Sequence, residues 1–245
     1  MKTKISLILP TYTENETLKR SVIDFQKTKI ISEIIVVNNN AKFDVGKTLK
    51  GTKAKEIFEK RQGYGAAIRK GLKKAKGELI AICEPDGTFV ASDILKLLSY
   101  ATEFDLVVGS RTTQELIWEG ANMGFHLKWG NFFVAKIVQL LYNTISLTDV
   151  GCTFRIIKRS ALKKISSGFK TYGGEFGLEM MLLIIEKKLS LIQIPINYKE
   201  RPLGESTYSG DFQKALKLAT KMIKLVLKSK LIHLNFKHRP KSPPP

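Results

Sequence analysis

The chain has 245 residues, 43% hydrophobic and 26% charged, a balance that suits a globular protein long enough to bury a sizeable core. Eighteen Gly, eight Pro and two Cys exclude collagen-like, low-complexity and disulfide-scaffold classes. Lys and Arg number 41 against 22 Asp and Glu; the resulting +19 points to an anionic partner, whether nucleic acid, an anionic membrane surface or a phosphorylated substrate.

The first apolar run, Ile5–Leu9, is closed by Pro10, and Ile34–Val37, Leu79–Cys83 and Leu106–Val108 repeat the pattern. Short runs of Ile, Val and Leu predict strands buried on both faces. Between them Glu14–Lys27, Tyr64–Lys76 and Ser92–Ala101 carry apolar residues at helical spacing. The alternation predicts an open, mostly parallel α/β sheet. Ligands bind such sheets at the carboxyl ends of the strands, so the loops after Leu9, Val37 and Cys83 are where chemistry is expected.

From Leu116 to Leu147 the chain is rich in Trp and Phe and ends in an apolar helix, Val134–Tyr142. It reads as core helices, with a membrane-dipping or acceptor-binding element as the alternative. A strand at Thr153–Ile157, a helix containing Glu179–Ile185, a strand at Ser190–Ile196 and a polar loop from Glu200 to Gly210 follow. No stretch approaches the ~20 apolar residues that cross a bilayer. No secretory signal is read at the N-terminus, so Cys83 and Cys152 are expected to be reduced and buried, and the expected compartment is the cytosol.

The catalytic domain is expected over 1–210, a basic amphipathic helix over 211–233 and a disordered tail over 234–245. At 100° per residue Lys214, Lys217, Lys221, Lys224 and Lys228 share about 80° of arc, leaving Leu218, Met222, Ile223, Leu225 and Val226 to the other sides. Such a helix fits an anchor on anionic lipid, or equally a packed helix with a solvated lysine face.

Glu84-Pro85-Asp86-Gly87-Thr88, directly after a buried strand, offers two hard carboxylates suited to Mg²⁺ or Mn²⁺. Such a cation neutralises charge on a departing diphosphate. Upstream, Arg61-Gln62-Gly63-Tyr64-Gly65 opens a helix whose N-terminus suits phosphate, though the spacing matches neither the dinucleotide fingerprint nor the Walker loop.

These segments, with Pro10-Thr11-Tyr12-Thr13-Glu14, Val36-Val37-Asn38-Asn39-Asn40, Gly109-Ser110-Arg111, Asp149 to Arg155 and Glu200 to Ser206, fall in an order that resembles the family-2 glycosyltransferases. The resemblance is nearest to the dolichyl- or polyprenyl-phosphate mannosyl- and glucosyltransferases and runs from Ile5 to about Tyr208. It implies a GT-A fold, a nucleotide-sugar donor of the GDP-mannose or UDP-glucose type, Mg²⁺ or Mn²⁺, and inversion at the anomeric carbon. Carried over by position, Pro10, Tyr12, Glu14, Asn38, Asn39, Arg61, Gly65, Arg69, Pro85, Gly109, Ser110 and Arg111 would line the donor pocket. Asn38 and Asn39 stand where an acidic pair is usual. Asp86, with Glu84 second, would hold the metal, and Asp86, Asp149, Arg155 and Arg201 would act in the chemistry. The usual Gly-x-Ser-Lys segment reads Gly204-Glu205-Ser206-Thr207.

A hydroxyl acceptor needs a general base, whereas a phosphate monoester is already anionic and needs cations. Lys128, Arg155, Arg201 and Ser206 are expected to hold that phosphate, with Arg111 nearby. Asp149 and Glu179 remain available as a base, so a glycan or other hydroxyl acceptor is the alternative. Asp149 with Arg155 is also readable as a structural ion pair. A polyprenyl or dolichyl phosphate places the protein peripherally on the cytosolic membrane face, with room for a separate anchoring subunit. Nucleic acid is not expected as a partner, for want of an aromatic binding platform or motif. An inactive homologue is compatible with the departures at Asn38, Asn39 and Glu84.

Overall fold

A computed structural model describes residues 3–118, 121, 125–202 and 212–237. Its strands are β1 (Ile5–Thr11), β2 (Glu33–Asn38), β3 (Lys55–Phe58), β4 (Leu79–Ile82), β5 (Leu106–Ser110), β6 (Arg155–Lys158) and β7 (Leu191–Pro195). They form one sheet in the order β3-β2-β1-β4-β6-β5-β7. All pairings are parallel except the two made by β6, which runs antiparallel between β4 and β5.

Leu7, Ile8, Leu9, Val36, Val37, Ile80, Ile82 and Val107 are buried, as apolar strands covered by helices on both faces must be. The helices are α1 (Asn15–Lys27), α2 (Val45–Thr48), α3 (Tyr64–Lys74), α4 (Ile94–Ala101), α5 (Phe125–Tyr142), α6 (Arg159–Ile165), α7 (Phe176–Glu186) and α8 (Phe212–Lys237). Cys83 and Cys152 are free thiols in the core.

Several elements differ from the sequence expectation: α2 and α6 fall where no helix was read, and α5 begins at Phe125 rather than Val134. β3 was not anticipated: Lys55, Glu56 and Phe58 are exposed on an edge strand, where no apolar alternation is required. The last helix runs on to Lys237, past the expected end at 233, and the expected tail beyond it lies outside the described residues. α8 packs on α5 and α7. Met222 and Val226 enter the core, while Lys214, Lys217, Lys221, Lys224 and Lys228 stay exposed. None of the described helices is long and apolar enough to cross a membrane.

Candidate active site

The carboxyl ends of β1, β2, β4 and β5 deliver the predicted segments to one edge of the sheet. At the end of β4 the chain turns through Gly87 at φ 82°, a left-handed conformation that glycine adopts without strain. That turn holds Asp86, which is 3% exposed. Its Oδ1 accepts from the Thr88 amide at 3.0 Å and the Thr88 hydroxyl at 2.7 Å. Its Oδ2 accepts from Nη2 of Arg201 at 2.6 Å. Loss of solvent and the nearby Asp86 charge push Glu84 up to about 8.

A second anionic group lies alongside. Asp149 accepts from Nε of Arg111 at 2.8 Å and from Nη2 at 3.0 Å, and the Arg111 amide completes the clasp at 3.1 Å. Gln193 fixes the segment by accepting from the Thr148 amide at 2.7 Å and donating to the Asp149 carbonyl at 2.6 Å. Tyr198 joins the two groups. Its ring lies 5.3 Å from the Arg111 guanidinium, and its phenol feels the charges of Arg111, Asp86, Glu84 and Arg201, although burial dominates and raises it. The preceding residue, Asn197, is held by Asp93, a buried carboxylate that accepts from its side-chain amide at 2.9 Å.

The donor-side residues are placed differently from expectation. Glu14 binds its own loop: Oε2 accepts from the Tyr12 amide at 2.7 Å, the Thr13 amide at 3.0 Å and the Thr11 hydroxyl at 3.0 Å. Asn39 brackets the loop before α3, donating to the carbonyls of Glu59 at 2.9 Å and Arg61 at 2.7 Å and accepting from the Gly63 amide at 2.8 Å. Asn38 donates to Glu56 at 2.8 Å, so an acid missing at position 38 reappears on β3. Pro10 lies in β1, Pro85 is buried and accepts from Ser21, and Tyr12 is exposed under Lys42. Gly109 packs tightly against Ile196 and Cys152, and Ser110 bonds Thr112 and Thr148.

Four expectations are corrected by this geometry. The Gly65 and Ala66 amides at the start of α3 donate to the carbonyls of Gly173 at 3.2 Å and Tyr172 at 3.1 Å, so they are not open to phosphate. Arg155 points into the core, where it donates to the Gly177 carbonyl at 2.7 Å and to the Cys152 carbonyl; it is 2% exposed and cannot meet an acceptor. Asp149 does form a buried ion pair, but with Arg111 rather than Arg155. Glu179 accepts from the amides of Lys170 at 2.8 Å and Thr171 at 3.1 Å and the Thr171 hydroxyl at 2.7 Å, which leaves it a loop anchor and no base. Ser206 lies outside the described residues. Lys128 is half-buried near the start of α5.

Tyr172 was missed. Arg61 stacks on its ring with the guanidinium carbon 3.1 Å from the centroid, and Arg69 lies 4.2 Å away. A Cβ on Gly63 would collide with the Tyr172 carbonyl and one on Gly65 with its carbonyl carbon, so both glycines are needed for that approach. Paired glycines before a helix signal such a contact, but nothing in sequence names the partner.

Among the described residues no cluster of three or more His, Cys, Asp or Glu could hold a metal alone. Asp86 and Glu84 offer hard oxygen donors of the kind that Mg²⁺ and Mn²⁺ take. The pocket already holds one cation, the Arg201 guanidinium, which shows that its field is cation-accepting.

The residue pattern described as Glycosyl transferase family 2 matches residues 6–166. The dolichyl-phosphate beta-glucosyltransferase of Saccharomyces cerevisiae is 24% identical over 164 residues, 58% of this chain and 46% of that protein, so the chain spans less than half of that relative's length. An uncharacterized glycosyltransferase of Mycobacterium tuberculosis is 23% identical over 220 residues, covering 86% of this chain and 93% of its own. The glucosyl-3-phosphoglycerate synthase of the same organism, solved with Mn²⁺, uridine diphosphate and phosphoglyceric acid, superposes with a TM-score of 0.73 at 13% identity over 98% of this chain and 80% of its own. That superposition establishes the GT-A fold.

Proposed function

The chain belongs to glycosyl transferase family 2, and on that premise we propose that it moves mannose or glucose from a nucleotide-diphosphate sugar to a polyprenyl or dolichyl phosphate, with inversion at the anomeric carbon. The observation that supports the choice of acceptor is the state of Glu179 and Asp149, the two carboxylates that the sequence offered as a base, with Glu84 assigned to the metal. Glu179 has both oxygens filled by Lys170 and Thr171, and Asp149 is held anionic by Arg111, which makes it a weak proton acceptor. A phosphate acceptor needs no base. The name of the yeast relative, a dolichyl-phosphate transferase, supports the same choice.

In this reading Arg61 and Arg69, spread on Tyr172, hold the donor diphosphate. Asp86 and Glu84 hold Mg²⁺ or Mn²⁺, which supplies neutralisation of the departing nucleotide. Arg201 and Lys128 grip the acceptor phosphate, one of whose oxygens forms the new bond to the anomeric carbon while the bond to the donor phosphate breaks on the opposite face. Arg111 and Asp149 form the rigid floor beneath. The lipid acceptor makes the cytosolic face of an anionic membrane the place of work, with a separate anchoring subunit as a further partner.

Purified protein is to be incubated with dolichyl phosphate, Mn²⁺ and labelled GDP-mannose or UDP-glucose. The expected product is chloroform-soluble, and Asp86→Ala lowers kcat/KM at least 100-fold, about 2.7 kcal/mol of transition-state stabilisation. Label that stays in the water phase with a glycan or small hydroxyl acceptor refutes the lipid assignment. Full activity of Asp86→Ala refutes the metal assignment.

A further inference from the structure

Arg155 and Arg201 are the arginines expected at the acceptor phosphate, with Arg111 nearby, and each of the three is engaged. Arg155 is bonded to two core carbonyls, Arg111 is clasped by Asp149, and Arg201 is bonded to Asp86. They differ in how easily they could leave. Arg155 is 2% exposed, and the Arg111 side chain, 11% exposed, is held from two of its nitrogens. Arg201 reaches Asp86 through one nitrogen, and its side chain is 24% exposed.

The contact with Asp86 is nevertheless built into the fold. Phe89 and Tyr198 form an antiparallel bridge, and the Lys199 amide donates to the Thr88 carbonyl at 2.8 Å, which sets the register of the two segments. Gly87 leaves no room for a side chain: a Cβ there would stand 2.9 Å from Cγ of Pro202, the residue after Arg201. Thr88 fills Oδ1 of Asp86, so Oδ2, the oxygen that faces Arg201, is the one left for a cation. A guanidinium and a divalent ion on the same carboxylate oxygen repel each other, so each weakens the other's hold.

We propose that Arg201 is a built-in stand-in for the metal: it neutralises Asp86 in the donor-free protein, is displaced when the divalent ion arrives, and only then becomes the cation that receives the acceptor phosphate. This rests on the glycosyl-transfer reading above and adds to it the ion pair through which the metal and acceptor sites communicate. Loss of Arg201 from Asp86 thus couples two binding steps through one ion pair.

The test measures Mn²⁺ binding to donor-free protein by electron paramagnetic resonance. Arg201→Gln is expected to bind Mn²⁺ about tenfold more tightly than the parent, within the usual range of such couplings. Arg201→Lys, which keeps a competing cation, is expected to stay close to the parent, and Arg201→Met, which removes the charge, carries the comparison if the Gln variant does not fold. Equal or weaker Mn²⁺ affinity in a folded Arg201→Gln overturns the proposal. In a second arm, geranyl phosphate is titrated calorimetrically with and without Mg²⁺ and nucleoside diphosphate. Tighter binding with the metal in the parent, and no such dependence in Arg201→Gln, is expected; binding that ignores the metal in the parent overturns the coupling. Neither arm requires sugar transfer, so absence of a lipid-linked product alone would reject the acceptor assignment while leaving the cation exchange standing.

Discussion

Asp149 and Arg111 close on each other at three points, all within 3.1 Å, in a place where the carboxylate is 1% exposed. Burial alone would push this carboxyl up. The Arg111 charge and its hydrogen bonds outweigh that and hold it below the ordinary carboxylate range. Asp149→Asn strands a buried guanidinium without its counter-charge and is expected to cost about 3–5 kcal/mol, read from urea unfolding at pH 7. Because the folded-state value is depressed, the stabilisation is present above the unfolded pKa of about 3.9 and is lost as pH falls through the folded value. The gap between parent and variant therefore narrows on acidification; a gap that widens would contradict the ion pair.

Tyr172 carries two cations on one ring, which repel until an anion joins them. Tyr172→Ala is expected to weaken nucleotide-sugar binding about 5- to 30-fold, or ~1–2 kcal/mol, while Tyr172→Phe keeps the π face and stays near the parent. Calorimetric titration of the donor against both variants decides it. Equal losses in the two would assign the effect to the hydroxyl instead.

On α5 Phe133 is 61% exposed and Leu140 82%, and on α8 Leu231, three residues after Lys228, is 63% exposed. Apolar side chains beside lysines are what an anionic bilayer surface binds. Sedimentation with phosphatidylglycerol vesicles is expected to carry the protein down, with binding that weakens as salt rises. Phe133→Ser with Leu140→Ser is expected to cut that binding at least about fivefold. Association with neutral vesicles equal to that with anionic ones would count against the lysine contribution.

The apolar runs that became β1, β2, β4 and β5 were legible because central strands covered on both faces must be apolar throughout. β3 was not, since Lys55, Glu56 and Phe58 face solvent at an edge. The acidic turn at Glu84–Thr88 was legible for a related reason, as a carboxylate pair directly after a buried strand. The partners were hidden. Glu179 reads as a base in sequence but has Lys170 and Thr171 on its oxygens, and the start of α3 reads as a phosphate cradle but has the Gly65 and Ala66 amides bonded to Gly173 and Tyr172.

The order of apolar runs and helices, local in the chain, was enough to specify a mostly parallel α/β sheet and the edge where a site was to be sought, while the family came from the resemblance of the ordered motif series. Which charge meets which was decided by packing alone: Asp86 and Arg201 lie 115 residues apart, and Arg111 and Asp149 lie 38 apart. An ion pair forms between groups that the folded backbone brings within about 3 Å, and residue spacing along an unfolded chain carries no information about that distance.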